Sequence, residues 1–240
     1  MADRFITSMV YIMQIHWMNV GPGRSVTSTH TTGDTLMDLY TFPGSTNCRK
    51  VDAVAKQLGI ELNYKVVDLV KGEQRQPWFL ALNPSGMVPV LVDGDITLTE
   101  SNAIQCYIAS KVENDLWPRS NLRYEVMRWQ AWELAHFGAA VRELAWQRLI
   151  RPLIGQKTDN ARCEEEVAKF QRFASVLERQ LQGQRFVANG QLTLADFCLA
   201  SSLAVAQPIK LSLSEYPNIR RWLAALEEQP GWRASAPPPM

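Results

Sequence analysis

Histidine and cysteine are scarce, at three and four residues in 240. The cysteines, Cys48, Cys106, Cys163 and Cys198, stand too far apart for a zinc knuckle or a CxxC pair. Reduced thiols in or near a core are expected, in a reducing compartment. An excess of one charge is also lacking: 25 Lys and Arg face 24 Asp and Glu, a net charge of +1. Such balance offers no global attraction to nucleic acid or anionic lipid. No apolar run approaches the roughly 20 residues needed to cross a bilayer. The expectation is a soluble, cytoplasmic protein with neither a nucleic-acid nor a membrane partner. Apolar residues make up 46% of the chain, ample for a core.

Residues 1–36 stand apart, a short Met-rich apolar stretch followed by Gly, Ser and Thr. Asp3 spoils the basic start of a secretory signal, His16 closes the apolar part, and no A-x-A-like site follows. They read as a disordered extension, or as translation assigned upstream of a true start at Met37.

From Asp38 the pattern becomes regular. A strand over 38–42 is stopped by Pro43-Gly44, and a helix over 45–58 carries Val51, Val54, Ala55 and Leu58 on one stripe. Gly59 stands in its C′ position. Residues 61–69 read as a second strand, so the first two strands are parallel with a right-handed crossover. After a polar, aromatic loop over 71–82 come Val88-Pro89-Val90-Leu91-Val92 and Ile96-Thr97-Leu98. Asp93-Gly94-Asp95 between them marks a hairpin. Glu100-Ser101-Asn102 opens the next helix. Beyond Trp117-Pro118 the reading is all helical: 122–150 ended by Pro152, 160–181, a helix from a capping box at Thr193-Leu194-Ala195-Asp196, and 217–228, with residues 237–239 frayed. The expected architecture is an α/β module over 37–112 with a mixed four-stranded sheet, a linker over 113–121, and an all-α module over 122–240.

Three clusters fall where chemistry could sit. The first, Tyr40-Thr41-Phe42-Pro43-Gly44-Ser45-Thr46-Asn47-Cys48, is a strand ending at a helix N-terminus. Helix N-termini carry partial positive charge and free N–H groups, and a hydroxyl there can hydrogen-bond a bound thiolate. Ser45 is placed for that role, with simple N-capping as the alternative. The second is Asn83-Pro84-Ser85-Gly86-Met87-Val88-Pro89. The third, Thr99-Glu100-Ser101-Asn102, opens a helix whose first N–H groups can hold a carboxylate while Glu100 pairs with an ammonium. Cys48 falls on the helix stripe and reads as structural, and no thiol stands at position 45 for disulfide exchange.

In this order and spacing the clusters resemble the thioredoxin-like domain of cytosolic glutathione transferases of the serine type, most like the theta and phi classes. The helical half, ending in Tyr216-Pro217-Asn218-Ile219-Arg220-Arg221-Trp222, is similar too. The resemblance covers about residues 37–233. It implies a thioredoxin-like fold, glutathione as co-substrate, no metal, and Ser45 as activating hydroxyl, with Thr46 and Asn47 as neighbouring alternatives. It further implies a cis bond before Pro89, Val88 pairing with the cysteinyl part of glutathione, and Glu100 and Ser101 holding its γ-glutamyl end. Gln74 stands where histidine often serves the glycyl carboxylate, and Met87 where lysine or glutamine precedes the Val-Pro step. Both replacements remove charge or hydrogen-bonding capacity. Trp129, Trp132 and His136 on the long helix read as candidate lining of an electrophile pocket, with core packing as the alternative. A homodimer is implied, with the α/β module of one subunit meeting the helical module of the other. The activities left open are conjugation to a small apolar electrophile, glutathione-dependent peroxidase or disulfide reductase chemistry, and glutathione binding without catalysis.

Overall fold

The computed structural model describes residues 36–236. The readings for 1–35 and for 237–239 lie outside the described residues. Strand β1 (Met37–Thr41) alternates inward and outward, burying Met37, Leu39 and Thr41. Helix α1 (Thr46–Gln57) follows, burying Val51, Val54 and Ala55. Gly59 just past its end has φ +67°, a conformation that needs no Cβ. Strand β2 (Leu62–Val66) returns parallel to β1, Leu39 opposite Tyr64. Strands β3 (Val90–Asp93) and β4 (Ile96–Leu98) form a hairpin turning at Gly94, φ +57°. The sheet order is β2-β1-β3-β4, with β3 antiparallel to β1, which is the mixed four-stranded sheet that the sequence pattern implies.

The segment 71–82 corrects the loop reading. It holds a 3-10 turn, Glu73–Arg75, and helix α2 (Pro77–Leu82). Pro77 at the first turn presets φ, and Phe79 is buried against Val67 and Val90, so packing rather than periodicity makes this short helix. Helix α3 (Ser101–Ser110) then packs Ile104 and Ile108 into the core.

The long helix also departs from the reading. It runs over 122–153 as α4 (Leu122–Trp132), α5 (Gly138–Ala145) and α6 (Arg151–Leu153), with π segments Glu133–Phe137 and Trp146–Ile150 between them. Pro152 lies in the last turn, and the helix ends one residue later at Leu153, where the sequence places its end. The wider π turn before it relaxes the clash that a proline ring makes with the carbonyl four residues back. The first π segment starts at Glu133, which is buried; a Cβ on Gly138 would collide with its carboxylate.

Helices α7 (Asn160–Gln180), α8 (Leu194–Leu203) and α9 (Pro217–Glu227) follow. Every residue of α8 is buried, so it runs through the centre of the helical half. The capping box at Thr193 and Asp196 is present. Sequence reading missed α10 (Pro230–Ala234), five residues that come close to α1: a Cβ on Gly231 would meet the backbone at Ala53 and Gln57. One apolar core joins the two halves, from Leu39, Val51 and Ile104 to Phe197 and Trp222. Among the described residues no helix is long and apolar enough to cross a membrane.

Candidate active site

Ser45 is the N-cap of α1, with extended backbone (φ −86°, ψ 121°). Its amide bonds back to the Phe42 carbonyl at 3.0 Å, which makes the Pro43-Gly44 turn and aims α1 away from the end of β1. The Ser45 hydroxyl accepts from the Cys48 N–H at 3.3 Å and retains a proton to donate. No acidic residue lies in the first turn of α1, so nothing on the helix offsets its positive end. Cys48 is 2% exposed, and burial pushes its thiol up, which suits the structural role read for it.

The start of α3 comes up against the same place. Ser101, its first residue, donates through Oγ to Asn47 Oδ1 at 3.3 Å. Two helix N-termini therefore converge, one carrying Ser45 and Asn47, the other Glu100 and Ser101. Glu100 holds φ +65° and ψ 108°, an uncommon conformation for a residue with a side chain, and is exposed. The bend turns the chain from β4 into α3.

The Val88–Pro89 peptide is cis, as the resemblance implies. Val88 lies beyond the last paired position of β3, Val90 opposite Tyr40. The preceding loop is tied down by Asn83, which donates to the Met87 carbonyl at 2.7 Å and accepts from the Ser85 N–H at 3.0 Å. Gly86, φ +63°, lies close enough to the Gln74 carbonyl that a Cβ would approach it to 3.1 Å. Gln74 and the Gly86-Met87-Val88 segment are thus neighbours. The Gln74 amide donates to the Leu69 carbonyl at 3.4 Å, while its buried Oε1 has no protein partner. The Met87 side chain projects outward, 67% exposed.

Trp129, Trp132 and His136 are placed differently. Trp129 is 1% exposed and meets Trp132 edge-on at 5.1 Å. Trp132 stacks on Phe137 at 5.6 Å, and His136 lies over Phe173 at 5.1 Å. Their ring contacts run to α7, inside and along the helical half, not to the Ser45 segment. Sequence reasoning missed Asn47 as the contact to Ser101, and it missed Lys50. A lysine between Cys48 and Val51, on the apolar side of α1, was the available signal.

A parallel β1-α1-β2 unit, a cis proline leading into a hairpin, and an all-helical half with a buried capped helix define a thioredoxin-like module followed by an all-helical one. Residues 36–110 match the glutathione S-transferase N-terminal domain family and residues 141–230 the glutathione S-transferase C-terminal domain family. The chain is 34% identical to glutathione S-transferase 3 of Zea mays, over 85% of this chain and 96% of that protein. It is 31% identical to glutathione S-transferase D7 of Drosophila melanogaster, over 82% and 87%. Among solved structures, glutathione transferase F7 from Populus trichocarpa superposes with a TM-score of 0.78 at 28% identity, covering 83% of this chain and 97% of that one. A glutathione S-transferase-I solved with lactoylglutathione gives 0.77 at 29% identity, covering 84% and 99%. The chain belongs to the cytosolic glutathione S-transferase family.

Proposed function

We propose that this protein is a glutathione transferase in which Ser45 stabilises the thiolate of bound glutathione for attack on a small apolar electrophile. The convergence of the α1 and α3 N-termini, tied by the 3.3 Å contact between Ser101 and Asn47, carries this reading. A free thiol has a pKa of about 8.5, so little of it is ionised at neutral pH. Lowering that value by about two units requires roughly 2.7 kcal/mol of preference for the thiolate. Ser45 contributes a hydrogen bond to the sulfur, and the unopposed N-terminus of α1 contributes partial positive charge. Glu100 takes the γ-glutamyl ammonium, and Ser101 with the first N–H groups of α3 takes its carboxylate. The Val88 backbone pairs with the cysteinyl unit by strand addition. Gln74 supplies an amide in place of a cation at the glycyl end, and Met87 supplies no polar atom there, so glutathione is held without a charge pair at that end.

In this reading residues 37–112 hold glutathione, 113–121 link, and 122–240 supply the electrophile side. The protein works in the cytoplasm as a homodimer: Trp78 (46% exposed) on α2 and Tyr124 and Met127 (68% and 50%) on α4 present apolar area from both modules. Sedimentation at micromolar concentration should give a dimer.

Ser45→Ala tests the chemistry. A hydrogen bond to a charged group is worth about 1.5–3 kcal/mol, so the bound thiol should titrate roughly one to two units higher and neutral-pH turnover should fall about 10- to 100-fold. Glutathione binding should change little, and turnover should partly recover at alkaline pH. The same thiolate serves peroxidase or disulfide reductase chemistry, which the choice of electrophile in the assay separates. Normal turnover in Ser45→Ala would make Ser45 a cap alone, and absence of turnover in the wild type with glutathione bound would favour a binding protein.

A further inference from the structure

The chemistry proposed above uses the ends of α1 and α3 but not the charge that joins them one turn further in. Among the described residues Lys50 of α1 is the one buried cation, 2% exposed. Its ammonium donates to Asn102 Oδ1 at 2.7 Å and lies 3.9 Å from Cys198 Sγ on α8. Glu133, 1% exposed at the start of the first π segment, lies 3.4 Å from the same sulfur. It also accepts from Ser202 Oγ at 2.5 Å and from Arg142 at 3.3 Å. Asn102 donates in turn to the Gln130 carbonyl at 3.4 Å, and Gln105 donates to the Lys50 carbonyl at 3.2 Å. A cation of the α/β module and a carboxylate of the helical module thus flank one thiol, with Asn102 between the modules. Burial pushes that thiol up to about 12, Lys50 pulling it down and Glu133 pushing it further up, so Cys198 stays neutral and serves as a bridge.

Apolar residues of like size would stabilise such an interior at least as well, so stability does not account for the charges. Their position does. Asn102 directly follows Ser101, and Lys50 lies one turn beyond Ser45 and Asn47. Fixing Asn102 on Lys50 fixes the first turn of α3 on α1. That sets the distance between the hydroxyl facing the thiol and the groups facing the γ-glutamyl end.

We propose that Lys50 is a positioning residue for glutathione, holding Asn102 so that Glu100 and Ser101 keep their spacing from Ser45, with the Cys198 thiol between it and Glu133 of the helical module. This rests on the reading of Ser45, Glu100 and Ser101 as the glutathione site. Lys50→Met alone removes the cation on one side of the Cys198 thiol and leaves the buried Glu133 with Arg142 alone, and should lower the melting temperature. Lys50→Met with Glu133→Gln removes both charges with little change of shape and should regain much of it. The double variant should still bind glutathione about tenfold more weakly than the wild type, a coupling of ordinary size. Its affinity for cysteinylglycine, which lacks the γ-glutamyl unit, and the titration of the bound thiol should be unchanged. Asn102→Ala, which keeps both charges, should show the same selective loss. Wild-type affinity for glutathione in the double variant or in Asn102→Ala overturns the proposal. If the wild type binds no glutathione, the reading of the site fails, and amide exchange over 99–107 still decides whether Lys50 fixes the first turn of α3 through Asn102. Exchange there should be faster in the double variant and unchanged elsewhere; unchanged exchange over 99–107 overturns the proposal.

Discussion

Among the described residues two helices have a serine or threonine as N-cap, Ser45 at α1 and Thr193 at α8, and their surroundings give the two hydroxyls different work. At α8, Thr193 is fully buried and Asp196 closes the capping box around it. The Asp196 carboxylate accepts from the Thr193 N–H at 2.9 Å and the Thr193 hydroxyl at 3.2 Å. It also accepts from the Val187 N–H and the Trp222 indole N–H, both at 2.9 Å. The Asp196 carboxylate thus takes four donors at that end inside the protein. At α1, Ser45 is half-buried, takes one long bond from Cys48, and has no carboxylate in the turn behind it. A helix end whose donors are consumed internally stabilises the fold. An end left open and positive is available to a ligand.

Asp196→Ala should produce the largest loss of stability at either helix start. It strands the Val187, Thr193 and Trp222 N–H groups in a dry interior, and a cost of about 3–5 kcal/mol is expected. A shift of less than about 1 kcal/mol in urea unfolding would remove the α8 side of the comparison. Asp196 also gives the contrast a pH signature. Burial pushes its carboxyl up to about 6, although its hydrogen bonds pull it down. The folded state therefore holds this proton more tightly than the unfolded chain does. Its contribution is fully present below about pH 4 and is lost as pH rises through about 6, by roughly 3 kcal/mol at most. Wild-type stability should fall relative to that of Asp196→Asn across that window; parallel pH profiles would contradict the assignment.

Much of this contrast could be read before any coordinates, because both helix starts are local signals. A hydroxyl before an apolar stripe placed α1, and Thr193 with Asp196 three residues on placed α8. Pro43-Gly44 and Gly94 marked the turns for the same reason. Local pattern failed where packing decides. Helix α2 is six residues without a period, the π segments carry no composition signal, and α10 is held by the approach of Gly231 to α1. The site was half legible. Ser45, Val88, Pro89, Glu100 and Ser101 were legible as candidates by type and place. The bonds from Ser101 to Asn47 and from Lys50 to Asn102, however, join residues 54 and 52 positions apart. Trp129 and Trp132 read as pocket lining or as core because aromatics on one helix face suit either; Trp129 meets Trp132, whose further ring partners, Phe137 and Phe173, belong to the helical half.

Thr193→Ala should come next in size. It removes one cap hydroxyl from a site where Asp196 keeps its other three donors, and about 1–2 kcal/mol is expected from urea unfolding. Catalytic turnover at neutral pH should be unaffected, since Thr193 lies in the helical half and is fully buried. A fall in turnover larger than the fall in folded fraction would mean that the two helix starts are coupled.

Ser45→Ala should cost the least stability of the three, about 0.5–1 kcal/mol, at the lower end for a lost cap. The single bond it removes is 3.3 Å long, and the Cys48 N–H it frees lies at a half-buried helix start. The same substitution is the one expected to lower turnover by one to two orders of magnitude, so the ranking by stability and the ranking by activity should run in opposite directions. Measuring both quantities on both hydroxyl variants separates the roles without assuming either. If Ser45→Ala proves as destabilising as Thr193→Ala while turnover per folded molecule holds, then both hydroxyls are structural caps, and the donor to the thiolate is to be sought at Thr46 or Asn47 in the first turn of α1.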